Sequence, residues 1–141
     1  ALAFILQGIG SIHEAAGDSD QAITMYLKAL QAHLTAAVEA GVSSPQVADA
    51  IDGLVELLRD YELPVPMKQL LWQWTENEGI YDEAENWLFE LIESEPHSQA
   101  LNSQGIAFYK RLLDHSDEEL ERGGLPRDEV ESGLAEMRRL R

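Results

Sequence analysis

The chain contains no cysteine, which removes disulfides, thiolate nucleophiles and cysteine-based metal sites together and agrees with a cytoplasmic location. No apolar run approaches the roughly eighteen residues of a membrane span. The opening ALAFIL is interrupted at Gln7 and has no basic segment ahead of it, so it reads poorly as a signal peptide. Basic residues are scarce: 10 Lys and Arg stand against 26 Asp and Glu, a net charge of -16. The imbalance is uneven, with 17 acids and 3 bases in residues 1–96 but 9 acids and 7 bases in residues 97–141. Nucleic-acid binding is therefore not expected, because neutralising phosphates takes clustered Lys and Arg. An acidic surface suits a basic protein partner, divalent cations in the bulk, or solvation alone. Alternating β-branched runs are also missing, so no strand is expected.

Strong helix formers dominate instead. Residues 79–96, GIYDEAENWLFELIESEP, show how the helices meet. Gly79 stands between two apolar segments, where glycine takes the left-handed conformation that ends one helix. Asp82 and Glu85 have the spacing of a capping box for the next. Ala84, Leu88 and Leu91 form one stripe with Trp87 on its flank, and Ala84 is small enough for two helices to approach closely. Pro96 ends the helix near Ser94 or Glu95. Gly17, Ala22, Tyr26 and Ala29 repeat the intervals of Gly79, Ala84, Leu88 and Leu91. Gly17, Ala22, Gly79 and Ala84 are accordingly the structural bend residues.

Leu6, Ile9, Gly10, His13, Gly17, Ala22, Tyr26 and Ala29 resemble the tetratricopeptide pattern. Leu71, Gly79, Tyr81, Ala84, Leu88 and Pro96 resemble its later part, with Trp72 where a small glycine is usual. The whole chain is similar to a bacterial family of unknown function with a tetratricopeptide-like domain, above all in GGLPRDEVESGLAEMRR near the end. The resemblance implies an all-α fold, a right-handed antiparallel array of about seven helices, and no established activity. Tetratricopeptide domains that clamp a terminal carboxylate carry lysine and asparagine in their first helix. The matching positions here are Gln7 and Ser11, which argues against an acidic C-terminal peptide as ligand.

Residues 1–141 read as a single helical domain, with one repeat-like hairpin over 1–40, a second over 66–96 and a C-terminal helical cap over 97–141. In the first helix Leu2, Ile5, Leu6, Ile9 and Ile12 are expected to face a neighbour. Were the native chain to begin earlier, added residues could cover them; otherwise they could join a dimer surface. Asp18 with Gln21, and Ser44 ahead of Pro45, are helix starts. Val47, Ile51, Leu54 and Leu58 mark the buried face of a spacer helix. The stiff stretch LPVP at 63–66 places the next start close to Met67. Leu101, Gly105, Phe108 and Leu112 define a sixth helix, Gly105 allowing close approach. An acidic segment at 117–121 runs into Gly123 and Gly124. Pro126 opens the last helix, with Val130, Leu134 and Met137 inward and Arg138, Arg139 and Arg141 at the negative end of its dipole.

Candidate chemistry is sparse. His13 and Glu14 begin a zincin-like fragment, but Gly17 stands where the second histidine would be needed. His13 reads as packing, and His97 and His115 as exposed residues near helix ends. Asp18-Ser19-Asp20 begins like a calcium loop, yet Ile23 occupies the obligatory glycine position. No phosphate loop, nucleophile elbow or kinase signature occurs. No metal, no cofactor and no catalytic residue is expected, and the chain reads as no enzyme. His33 and Trp72 are the candidate partner-binding residues, each weighed against a packing role. The expected function is a non-catalytic protein-interaction or assembly module that takes a protein or peptide, basic or uncharged, on a helical-repeat surface, with no membrane partner. The alternatives are a self-associating structural subunit, hence a homodimer, and an enzyme with a nonlocal active site.

Overall fold

The computed structural model describes residues 2–41 and 44–140. Among them there are eight helices and no strand: α1 (Leu2–Ala15), α2 (Ser19–Glu39), α3 (Pro45–Leu57), α4 (Val65–Asn77), α5 (Tyr81–Ser94), α6 (Gln99–Leu113), α7 (Asp117–Arg122) and α8 (Arg127–Arg139). The expected all-α class holds, with one helix more than anticipated. The addition is α7, six residues of the acidic segment, capped where the Ser116 hydroxyl accepts from the Glu119 N–H. Arg141 lies outside the described residues. The chain divides into two compact units, residues 1–70 and 71–141, with the boundary inside α4.

In the first unit α2 packs against both α1 and α3. The chain folds back at Gly17, whose φ of 80° is in the left-handed region. The Gly17 N–H donates to the Glu14 carbonyl and the Asp18 N–H to that of His13, which closes α1 in a Schellman turn. The Asp18 carboxylate then caps α2 by accepting from the Gln21 N–H. Ala22, Tyr26, Ala29, Leu30 and Leu34 are buried along α2, and Ala50, Ile51 and Leu54 along α3. Ser44 caps α3 with Pro45 in its first turn, as the sequence predicts.

The second unit repeats the same device 62 residues later. Gly79 has φ 76°; its N–H donates to the Glu76 carbonyl and that of Ile80 to Thr75, the same pair of bonds as at Gly17. Ala84, Leu88 and Leu91 are completely buried, matching Ala22, Tyr26 and Ala29 in register. The expected capping box does not form. The α5 N-cap position is Ile80, without a side-chain bond, and the Asp82 N–H donates to the carbonyl of Gly123 instead. Glu85 accepts from the Tyr109 hydroxyl rather than reaching back. A backbone carbonyl supplied by the end of α7 therefore satisfies a donor that local sequence left to a carboxylate.

Helix α6 packs on α5 and on α8. Gly105 makes this possible: a Cβ there would stand 2.5 Å from the Met137 methyl and 3.4 Å from Leu88. Phe108, Tyr109, Leu112, Leu120 and Val130 are fully buried in this unit. Arg127 staples the link between α6 and α7, donating to the carbonyls of Leu113 and His115 and to Asp117.

Candidate functional site

Helix α1 meets α2 through its small residues. Ala3 and Gly10 are its buried positions, and the Tyr26 ring lies so close over Gly10 that a Cβ there would sit 2.6 Å from it. The Tyr26 hydroxyl donates to Glu14 at 2.5 Å; burial first, and this bond second, raise the phenol pKa. With α2 on that side, Leu2, Ile5, Ile9 and Ile12 turn away from it, 64, 59, 37 and 68% exposed. The neighbour that α1 meets within the chain, α2, thus takes the face of Ala3 and Gly10, where no side chain keeps the Tyr26 ring from the backbone, and the stripe is left outward, where the sequence reading allowed added residues or a dimer partner to cover it. With Phe4, α1 carries five of the nine large exposed hydrophobics found among the described residues.

Beside this face runs an open groove of about 610 Å³ between α1 and α2, lined by Leu2 and Leu6 on one side and Ala32, Thr35 and Ala36 on the other, with Lys28 and Glu39 also in its wall. Gly8 lies exposed in the middle of α1 with no atom within 4 Å of where a Cβ would point. A glycine inside a helix costs about 1 kcal/mol relative to alanine, and nothing among the described residues fills the space it leaves.

His33 is buried on α2, its ring edge-on to Phe4 with centroids 4.6 Å apart. Its Nε2 has no hydrogen-bond partner among the described residues, and burial lowers its pKa. A base whose folded pKa lies below its unfolded value of about 6.5 binds fewer protons in the native state, so stability falls as pH drops below that value and levels off below the folded pKa. His33→Leu is expected to flatten this part of the stability profile, read by urea unfolding followed by circular dichroism between about pH 7.5 and 5. An unchanged slope would refute the assignment.

In the second unit the Tyr81 hydroxyl and His115 Nε2 lie 3.4 Å apart, and His115 Nδ1 lies 2.8 Å from Glu119. The hydrogen bond from His115 is the main cause of the lowered Glu119 pKa. Glu85 is raised, chiefly by burial, and so is the Tyr109 phenol that donates to it at 2.7 Å. Arg111 grips Glu76 with two nitrogens, at 2.8 and 2.9 Å. These groups bind one another rather than converge on a cleft. A hollow of about 500 Å³ at the start of α6 is lined by Pro96, His97, Ser98, Asn102 and Leu140, but the Asn102 amide is spent on the Met137 carbonyl. Among the described residues no cluster of three or more His, Asp or Glu could hold a metal ion.

Trp72 is 6% exposed and meets Phe108 edge-on with centroids 5.6 Å apart, its Nε1 unpaired. His33 and Trp72 are therefore interior residues, in different units. Sequence reasoning missed the pairs Tyr109–Glu85, Arg111–Glu76 and Tyr81–His115, separated by 24, 35 and 34 positions. No local signal marks them.

The arrangement defines an all-helical chain in which buried or half-buried titratable groups, such as Glu85 with Tyr109 and Glu76 with Arg111, bind one another, and α1 presents an exposed apolar stripe. The chain belongs to DUF6483, a family of unknown function whose sequence profile matches residues 2–141. No curated protein and no solved structure matches it. Among the described residues no helix is long and apolar enough to cross a membrane.

Proposed function

We propose that this chain is a non-catalytic protein-interaction or assembly module of a bacterial cytoplasm, built as a right-handed antiparallel tetratricopeptide-like array. The observation that carries the reading is the exposed face of α1, where Leu2, Ile5, Ile9 and Ile12 lie open to solvent beside the groove along α2. Apolar side chains at this spacing suit the docking of a helix. The acidic remainder of residues 14–96 suits a basic or uncharged protein or peptide, while α1, uncharged from Leu2 to Ile12, also admits a second copy in a homodimer. Repetition of one bend, at Gly17 and Gly79, supports the repeat-like architecture.

The test places a photoreactive amino acid at Ile12 of the full chain, with a second chain carrying it at exposed Glu131 on α8 as control. Heavier adducts from Ile12 and none from Glu131 are expected in native extract. Absence of adducts from Ile12, or equal yields from both sites, would remove the basis for the reading.

A further inference from the structure

We infer that the outer face of α1 is a self-association surface that takes the α1 of a second copy of this chain, seam against seam. The proposal rests on the interaction reading above and names its partner. Leu2, Ile5, Ile9 and Ile12 follow one another at intervals of three, four and three, the spacing that holds a straight seam between two paired helices. At their exposures they leave on the order of 400 Å² per copy, so two copies bury somewhat less than the roughly 1,000 Å² of a stable interface and make a weak, reversible pair. Gly8, with open space at its Cβ position, lets a second helix backbone come close at the edge of the seam.

Charge distinguishes a second copy from other occupants. Two chains of net charge -16 repel. Yet between Leu2 and Ile12 there is no Asp, Glu, Lys or Arg, so α1 is where two copies approach at least electrostatic cost. A basic partner would have no acidic side chain to engage along this seam until Glu14. It follows that salt, by screening the repulsion between the rest of the two chains, tightens the self-complex, whereas it weakens a complex with a basic partner.

The experiment is sedimentation equilibrium of the purified full chain at about 0.05 and 0.5 M salt. Wild type is expected to dimerise with Kd on the order of 1–100 µM, several-fold tighter at the higher salt. Ile5→Glu/Ile12→Glu is expected to stay monomeric with unchanged helical circular dichroism, since both side chains already face solvent. Phe89→Glu, which removes an exposed apolar group on α5, is expected to dimerise as wild type does. A chain monomeric throughout the range, a double variant that still dimerises, or a Phe89 variant that does not, would each overturn the inference. A monomer whose Ile12 position still yields adducts to another protein overturns the self-association alone and leaves the interaction reading standing.

Discussion

Replacing Trp72 by alanine is expected to lower the unfolding free energy by about 3–5 kcal/mol, the range for emptying a packed aromatic site. The side chain is 6% exposed and its ring stands edge-on to Phe108, which is fully buried and itself edge-on to Tyr109 at 5.1 Å. Removing the indole therefore opens a cavity at the end of an aromatic row whose other members cannot close it without leaving their own contacts. Domains of this size hold about 5–15 kcal/mol in all, so the loss is a large share of the total. Trp72→Phe is expected to retain most of the stability, because the ring contact is kept and the indole N–H that disappears has no partner to lose. The measurement is urea unfolding followed by tryptophan fluorescence. Trp74 and Trp87 remain as reporters, and all three tryptophans lie in residues 71–141, so the signal reads that unit alone. A loss below about 1 kcal/mol would mean that the ring is not part of a close-packed core.

Gly123→Ala should cost about 1–3 kcal/mol, the usual penalty for forcing a methyl group into a filled space. Its new Cβ would lie 2.7 Å from the Gly79 carbonyl oxygen and run into the Tyr81 ring. Neither can yield easily. Gly79 is held in the left-handed conformation at the bend, and Tyr81 is buried in the first turn of α5. Displacing Gly123 would also pull its carbonyl from the Asp82 N–H, the bond that stands in for a side-chain cap. Gly53→Ala is the informative contrast. That glycine lies in α3 with nothing within 4 Å of its Cβ position, so the same added methyl group should stabilise by about 1 kcal/mol through helix propensity. Fluorescence reads the first variant and circular dichroism the second; a Gly123 variant as stable as wild type would show that the close approach to Gly79 is not enforced.

Much of the local structure was legible along the chain. Gly17 and Gly79 are left-handed, Asp18 and Ser44 cap their helices, and α5 stops at Ser94 ahead of Pro96. Each depends on a few neighbouring residues, so a pattern of spacing suffices to read it. Burial of Ala22, Tyr26, Ala29, Ala84, Leu88 and Leu91 followed from helical periodicity in the same way. The capping of α5 is not legible locally, because the Asp82 N–H has two possible acceptors and the one it takes, the Gly123 carbonyl, lies 41 positions away. α7 leaves no pattern in the sequence, because six residues are too few to show a period and only Leu120 among them is buried.

The candidate surface shows the same division more sharply. The sequence alone determined that α1 is a helix with an apolar stripe, for periodicity is a property of the helix itself. Which side of α1 the rest of the chain would cover was decided only in the folded chain, by the fit of the Tyr26 ring over Gly10 and the reach of its hydroxyl to Glu14. A glycine face admits an aromatic ring at a distance that a row of isoleucines forbids, and so the bulkier side chains were left outward. Likewise the sequence set the number and sign of the charges, but burial and pairing, at Glu85 with Tyr109 and at Glu76 with Arg111, are contacts between helices and exist only once those helices pack.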